Sequence, residues 1–288
     1  MLNLTRGDRL PSVATCQLLL NAHREESDAI KVDGIFGQQT QNAVAAFQAQ
    51  RKLTVSRKVD SATWSALSSD QGLRIHDHVD IFDPALRESA RVLQNAGARP
   101  VLAGGMSNGV AALRTEIMST GVSDGRLVML RLHGHGNKGK QALSYGTVPH
   151  VYYDAVRRQA VPDLHHLPPA SSMPASEMLV AQQAALYSQI SAASLAVPSI
   201  ASELSLLIPL FHPAACIEFH GCQVGGGSTG VVMLRQVAER LGIPAVAARN
   251  KQTTGNAIRY HGAVEMQFPE SKTLQEWAKG LAAPEQCV

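Results

Sequence analysis

The sequence predicts a small all-α three-helix bundle followed by a three-layer α/β domain with a mostly parallel sheet. Apolar residues recur at helical spacing in three segments of the first 70 residues. Beyond them, apolar strand-like runs alternate with amphipathic helical runs, which is the chain order of a parallel α/β sheet. A chain of 288 residues, 45% of them hydrophobic, is long and apolar enough to fold both units.

The composition excludes several classes of protein. A formal net charge of +3 gives no electrostatic footprint for DNA or RNA, and no run approaches the roughly 18 apolar residues of a membrane span. The amino terminus lacks the apolar core of a signal peptide, so we expect export without the general signal. The four cysteines form no close pairs of the metal-binding type and are too few for a disulfide scaffold. At least one thiol is therefore expected to be free for chemistry.

The first unit, residues 1–70, contains three predicted helices. Their sequences are “SVATCQLLLNA”, “TQNAVAAFQAQ” and “DSATWSAL”. Thr40 is the expected N-cap of the second helix, and Asp60 or Ser61 that of the third. Between the first two helices, “VDGIFGQQT” combines glycines that permit tight turns with apolar residues that point inward.

These segments resemble the three-helix peptidoglycan-binding module that is fused to many wall-lytic enzymes. The resemblance covers nearly all of the first 68 residues and centres on “DGIFGQQTQNAV”, with its Asp-Gly-x-Phe-Gly-x-x-Thr core. It implies a peptidoglycan-binding domain over residues 1–70, with peptidoglycan as the partner. The ligand contacts that it implies are Asp33, Gly34, Phe36, Gly37 and Thr40.

The second unit, residues 71–288, is predicted to be the α/β domain. “DPALRESARVLQNAG” and “NGVAALRTEIMSTG” indicate helices that end at Gly97 and Gly121, and “RLVMLRL” indicates a buried parallel strand. Later strands are predicted in “AACIEFHGC”, “IPAVAAR” and “AIRYHGAVEMQF”, and later helices in “STGVVMLRQVAERLG” and “KTLQEWAKGLA”. A helical insertion over about residues 150–212, with helices in “SEMLVAQQAALYSQISAASLAV” and “IASELSLLIPLF”, is expected to form a lid or to cover one face of the sheet.

Two predicted strands of this sheet end in motifs that carry chemistry. “LHGHG” follows the strand at residues 126–132, and “FHGCQVG” ends the strand at residues 214–220; a third strand is expected at residues 243–248. Because ligands of open α/β sheets bind beyond the carboxyl ends of the strands, both motifs are expected in one cleft. A histidine that accepts the proton of a thiol makes it a nucleophile, and glycines let backbone amides approach the reacting carbonyl. The pattern predicts a Cys-His hydrolase of amide bonds.

The same pattern resembles the caspase-like fold of cysteine peptidases, especially its bacterial branches. The resemblance covers roughly residues 125–250. It implies Cys222 as the nucleophile and His135 as the general base, with His133 as the fallback base. It also implies an oxyanion hole made by the backbone amides of Gly136 and Cys222. We expect neither a cofactor nor a metal ion for this chemistry.

Three alternatives to the cysteine hydrolase stay open. A Gly-x-Ser-x-Gly motif centred on Ser107 lies between a strand-like stretch and a helix, which is the context of a serine-hydrolase nucleophile elbow. A zinc peptidase is the second alternative. Its candidate ligands are His76, Asp83, His133 and His135. The third alternative is a degenerate hydrolase fold that serves only as a wall-binding adaptor.

Together, the two units predict a wall-targeted cysteine hydrolase that acts as a lytic bacterial effector or toxin. Tethering to the wall raises the local concentration of substrate without new active-site contacts. Amide bonds of peptidoglycan peptides are the first expected substrate, and protein chains near the wall are the second. The expected place of action is the periplasm or the cell wall, and a secretion apparatus and a cognate immunity protein are the further expected partners.

Overall fold

A computed structural model of the protein describes residues 3–80, 84–103, 109–143, 153–154, 159–160, 186–253 and 259–281. The chain begins with three helices, α1 (Pro11–Asn21), α2 (Gln38–Gln50) and α3 (Ser61–Ser69). Asp60 is the N-cap of α3, and its carboxylate accepts a hydrogen bond from the amide of Thr63 at 2.9 Å. The three-helix prediction for the first unit is confirmed.

Thr40 is not the N-cap of α2, and this part of the prediction is wrong. The helix begins at Gln38, its N-cap is Gly37, and Thr40 lies in its first turn. The Thr40 hydroxyl instead accepts a hydrogen bond from Nε2 of the buried Gln17 at 3.0 Å. A buried amide needs such partners, so the threonine turns inward rather than toward the helix end.

The rest of the described chain alternates strands and helices. The strands are β1 (Arg74–Asp80), β2 (Val101–Ala103), β3 (Leu127–His133), β4 (Gly136–Asn137), β5 (Lys140–Ala142), β6 (Tyr153–Asp154), β7 (Gln159–Ala160), β8 (Gln189–Ser191), β9 (Phe211–Phe219), β10 (Ala245–Ala248) and β11 (Val264–Gln267). The helices are α4 (Pro84–Asn95), α5 (Gly109–Ser119), α6 (Ala192–Leu195), α7 (Pro198–Ser205), α8 (Gly227–Leu241) and α9 (Leu274–Leu281). Gly97 and Gly121 follow α4 and α5 with positive φ, as expected of helix-ending glycines.

The main sheet has six strands in the order β2-β1-β3-β9-β10-β11. The first five strands run parallel, and β11 pairs antiparallel with β10 at one edge. The strands predicted at 126–132, 214–220 and 243–248 are present as β3, β9 and β10. Since β3 and β9 are parallel neighbours, their carboxyl ends meet at the same edge of the sheet.

Helices α5 to α8 cover one face of this sheet. Side chains of β3, β9 and β10 that point to this face are buried against Leu113 of α5, Leu204 of α7 and Leu234 of α8. Such burial, at about 25 cal/mol per Å² of apolar surface, is the main stabilising contribution to a layered fold.

The amino-terminal helices cover much of the other face. Val128, Cys216 and Val246, from β3, β9 and β10, belong to the same buried cluster as Phe36 and Trp64 of the helical unit. The Thr15 hydroxyl of α1 also donates a hydrogen bond to the carbonyl of Ala214 in β9 at 2.7 Å. The carboxyl-terminal helix α9 packs beside α1 in a neighbouring cluster. The helical unit and the sheet therefore share one core.

Two parts of the sequence fold differently from expectation. The segment at residues 189–191 lies inside a predicted helix but forms β8, which pairs antiparallel with β5. The second predicted helix of the insertion is shorter than expected, because α7 ends at Ser205 and β9 already begins at Phe211. Among the residues that the structure describes, no helix combines the length and the hydropathy of a membrane span.

Candidate functional site

The two predicted motifs come together at the carboxyl edge of the sheet. β3 ends at His133 and leads into the hairpin of β4 and β5, which carries Gly136. β9 ends at Phe219 and leads into the loop of residues 220–226, which we call the cysteine loop. Cys222 in this loop is partly exposed, whereas Cys16 and Cys216 are buried.

The hairpin and the cysteine loop touch through their backbones at Gly136. A Cβ atom at this position would lie 2.7 Å from the carbonyl carbon of Gly221 and 2.8 Å from the amide nitrogen of Cys222. It would also lie 2.6 Å from the side chain of Val224. Real Cβ atoms do not approach backbone so closely, so only glycine allows this contact. The sequence motif His-Gly is therefore explained by the approach of Cys222.

A buried glutamine holds the two segments in this position. The Oε1 atom of Gln141, in β5, accepts a hydrogen bond from the amide of Gly221 at 2.9 Å. Its Nε2 atom donates to the carbonyl of Ala142 at 2.9 Å. Gln141 has no exposed surface, and a buried amide with both ends bonded fixes its neighbours. The cysteine loop is thus anchored to the hairpin before any ligand arrives.

The sulfur of Cys222 also has partners on the loop that follows β10. The Gln252 amide donates a hydrogen bond to Sγ at 3.3 Å, and the thiol can donate to the Gln252 carbonyl at 3.2 Å. These two contacts fix the position of the sulfur. The next residue, Gln223, has a φ of 58°, a left-handed conformation that costs a non-glycine residue on the order of 1–3 kcal/mol. Strain of this kind is typical of functional turns.

The two histidines of “LHGHG” lie in different environments. His135 is partly exposed, and its carbonyl accepts a hydrogen bond from the Ala142 amide at 2.8 Å. His133 is almost completely buried, and its Nε2 atom lies 3.1 Å from Oδ1 of Asp77. Burial and the neighbouring His220 lower the pKa of His133 to about 3. Of the two, His135 is the one that solvent can reach.

His133 belongs to a buried charged network on the face of the sheet covered by the amino-terminal helices. Arg131 forms an ion pair with Asp77 at 3.0 Å, and this cation holds the pKa of the carboxyl group well below its usual range against the effect of burial. The ring of His133 stacks on His220 with centroids 4.5 Å apart, and His220 stacks in turn on Tyr260 at 4.6 Å. Partners on every side indicate a structural role for His133.

The residues of the alternative mechanisms are not brought together in the described structure. Ser107 and Asp83 lie outside the described residues. His76 pairs with Leu130, which faces α5, whereas His133 points to the opposite face of the sheet. The zinc set predicted from these spacings is therefore divided by the sheet, because a strand alternates its side chains between the two faces.

Of the five residues predicted to bind a wall ligand, Asp33 and Gly37 are partly exposed, whereas the other three, Gly34, Phe36 and Thr40, are buried. The Oε1 atom of Gln17 accepts hydrogen bonds from the amides of Asp33 and Gly34 at 3.0 and 2.9 Å. Phe36 and Thr40 are 0% and 2% exposed, so their side chains lie inside the helical unit. Gly34 is covered by the other part of the chain, since a Cβ atom there would lie 2.7 Å from the side chain of Leu274 in α9.

One comparison with known proteins identifies the helical unit. The family model of the peptidoglycan binding domain matches residues 9–67, which include α1, α2 and nearly all of α3. The chain carries an amino-terminal peptidoglycan-binding module. This module associates the protein with the cell wall. No curated protein matches the chain significantly.

Sequence reasoning missed two residues that position the cysteine loop, Gln141 and Gln252. Gln141 lies in β5, a strand too short to be recognised from its pattern. Gln252 follows β10 by four positions. A signal for Gln252 was present, because the carboxyl ends of parallel strands share one edge of a sheet. A loop after the third such strand is therefore expected to approach the other two.

The contact at Gly136 gives a prediction about stability. We expect Gly136→Ala to lower the free energy of unfolding by about 1–3 kcal/mol, because the added methyl group overpacks the cysteine loop. Urea unfolding followed by circular dichroism measures this. Gly280→Ala is the matched control, since a Cβ atom at Gly280 meets no atom within 4 Å. Equal stability of Gly136→Ala and the wild type would contradict the contact.

The buried His133 gives a prediction about pH. In the unfolded chain the imidazole binds a proton near its ordinary pKa of about 6.5, whereas the folded protein keeps it neutral down to about pH 3. Since the unfolded state then binds more protons than the folded state, the free energy of unfolding falls as the pH is lowered. We expect a contribution of up to about 1.4 kcal/mol per pH unit between roughly pH 6 and pH 4.

Urea unfolding of the wild type and of His133→Gln across this pH range measures that contribution. The variant is expected to lose stability less steeply as the pH falls. His261→Gln removes an exposed imidazole and is the control; its slope should equal that of the wild type. Parallel slopes for His133→Gln and the wild type would show that His133 is not held neutral.

Proposed function

We propose that the protein is a wall-bound cysteine hydrolase that cleaves amide bonds, with Cys222 as the nucleophile and His135 as the general base. The observation that carries the proposal is the backbone contact between Gly136 and the cysteine loop. It brings the segment that carries His135 against the segment that carries the thiol. The caspase-like resemblance of the two motifs supports the same assignment, since both motifs follow adjacent parallel strands.

The reaction follows from the chemistry of the two side chains. His135 accepts the thiol proton while Sγ of Cys222 attacks the carbonyl carbon of the amide. Collapse of the tetrahedral intermediate breaks the C–N bond, and the imidazolium returns the proton to the leaving amine. The product is a thioester on Cys222. Water, deprotonated by His135, then hydrolyses the thioester, so the thiol is regenerated and a carboxylic acid is released.

Backbone amides near Cys222 can stabilise the oxyanion. Among the described residues, the Cys222 amide has no hydrogen-bond acceptor. The amides of Cys222 and Gly136 are the proposed donors, and the close backbone contact at Gly136 keeps them near each other. Oxyanion donors that are fixed before the reaction are each worth roughly 10²–10³-fold in rate.

Peptidoglycan peptides are the proposed substrate class. The peptidoglycan-binding module associates the protein with a polymer that is rich in short peptides, and its helices share a core with the sheet that carries Cys222. Attachment of this kind holds the nucleophile close to the polymer and raises the effective concentration of its amide bonds.

The first test of the proposal is removal of the nucleophile. We expect Cys222→Ala to lower the rate of amide cleavage at least about a thousandfold, because the nucleophile is lost. His135→Gln should lower the rate by roughly 10²–10⁴-fold, the usual contribution of a general base. Digested peptidoglycan and a denatured protein are incubated separately, and mass spectrometry identifies the products.

Three controls distinguish the cysteine mechanism from the alternatives. Ser107→Ala should leave the rate unchanged, and a chelator should lower it far less than Cys222→Ala does. A loss of activity as large as that of Cys222→Ala, with either one, would transfer the assignment to a serine or a metal enzyme. Iodoacetamide should inactivate a Cys287→Ser variant by modifying Cys222. Cys16 and Cys216 should not react, because burial raises the pKa of their thiols. Cleavage of the denatured protein but not of peptidoglycan would make protein chains the substrate. Absence of cleavage in every reaction would favour a binding adaptor.

Wall binding is tested separately from hydrolysis. We expect the full chain to sediment with purified peptidoglycan sacculi, and Cys222→Ala to sediment to the same extent, because the thiol lies outside the peptidoglycan-binding module. The bound fraction is measured by densitometry over a range of sacculus concentrations, with a protein of similar size that lacks such a module as the control. Failure of both forms to sediment would remove the support for a wall substrate.

A further inference from the structure

A second cluster of chemically active side chains lies on the face of the sheet opposite the network around His133. His76 and His78 are two positions apart on β1, so both point to the face that α5 covers. Glu116 of α5 faces these two side chains. One ligand atom from each of these three residues lies within 4.8 Å of the other two. Two imidazoles and a carboxylate at this spacing are a set that can hold a metal ion.

The hydrogen bonds of His78 orient its ring. Nε2 lies 2.6 Å from the carbonyl oxygen of Leu143, so this nitrogen must carry a proton and donate. The other nitrogen, Nδ1, lies 2.8 Å from Oε2 of Glu116. A neutral His78 would then place a lone pair against a carboxylate oxygen. Either a second proton or a cation must lie between these two atoms.

His76 gives an independent indication that this cluster can bind a ligand. It is only 4% exposed, and its Nε2 atom is buried without a hydrogen-bond partner among the described residues. A buried polar atom without a partner is costly and rare in native proteins. A metal ion beside this nitrogen would supply the missing partner.

We propose that His76, His78 and Glu116 bind one divalent transition-metal ion, zinc by preference. Imidazole nitrogens favour zinc and related ions over magnesium and calcium, which prefer oxygen ligands throughout. The Leu143 carbonyl supplies the outer hydrogen bond that a metal-binding histidine usually makes through its other nitrogen. Two ligand atoms of a tetrahedral zinc lie roughly 3.3 Å apart, so binding would open the contact between His78 and Glu116 by about half an ångström.

The position of this site indicates a structural role. The ion would connect β1 and α5, and through His78 it would fix the carbonyl of Leu143, which directly follows β5. β5 carries Gln141, whose side chain anchors the cysteine loop through Gly221. A metal ion here would therefore stiffen the hairpin of the candidate active site without touching a substrate. The inference does not depend on the proposed hydrolysis.

Metal content is the direct test. The full chain is purified without a polyhistidine tag, stripped with a chelator, equilibrated with zinc and analysed by inductively coupled plasma mass spectrometry. We expect about one zinc ion per chain in the wild type and in Cys222→Ala, which excludes capture by the exposed thiol. His76→Gln and Glu116→Gln should each weaken zinc binding more than roughly a hundredfold. Loss of a ligand's hydrogen-bond partner costs up to about a hundredfold, and loss of the ligand itself should cost more. His212→Gln is the matched control and should retain the ion.

Two further measurements keep the inference testable if a variant does not fold. Cobalt added to the stripped wild type should give the visible bands of a tetrahedral nitrogen and oxygen site, without the thiolate charge-transfer band that binding at Cys222 would give. Zinc should also raise the melting temperature of the wild type, since an ion that binds the folded state alone stabilises it. Stripped wild type that binds no zinc and gives no cobalt bands would overturn the proposal. A proton on Nδ1 of His78, rather than a metal ion, would then lie between His78 and Glu116.

Discussion

The fold depends on one constraint: a mostly parallel sheet has two apolar faces, and both must be buried. Helices α5 to α8 bury one face. On the other face, the helices of the peptidoglycan-binding module complete the cover over β3, β9 and β10. Its first helix even satisfies a strand carbonyl, through the hydroxyl of Thr15 and the oxygen of Ala214. The module is thus one layer of the three-layer fold rather than an appendage on a linker.

This sharing of a core has consequences for the module itself. The Asp-Gly-x-Phe-Gly-x-x-Thr motif builds a turn around the buried Gln17, and α9 packs over Gly34 in that turn. Motif residues that fix the fold of the module have their side chains in its interior, so wall contacts must come from its exposed residues. Because α1 is fixed to β9, those contacts and Cys222 lie at a constant separation. A wall strand bound by the module would meet the thiol in a limited range of positions.

Much of this architecture follows from local patterns in the sequence, and the remainder depends on contacts that the sequence does not display. Buried parallel strands such as β3 and β9 are continuous apolar runs, and helix-ending glycines such as Gly97 mark the helices between them. β1 has no such signal, because His76, Asp77 and His78 occupy positions that apolar residues usually fill. The partners of Asp77 and His78 lie far away in the chain, so only the tertiary structure explains the strand. The segment at residues 189–191 has helical composition, but pairing with β5 overrides that preference.

The candidate site shows the same division between local pattern and tertiary contact. The motifs His-Gly and Cys-Gln are visible in the sequence, and their places at strand ends predict that they converge. What makes them one site is a backbone contact so close that Gly136 can carry no side chain, held by a glutamine whose role no spacing could reveal. The thiol of Cys222 is then fixed in two ways, because Gln141 anchors the cysteine loop and the amide of Gln252 donates a hydrogen bond to the sulfur. The proposed nucleophile and its neighbouring amides, fixed in this way, would need little reorganisation before reaction, which is the condition under which backbone donors contribute most to catalysis.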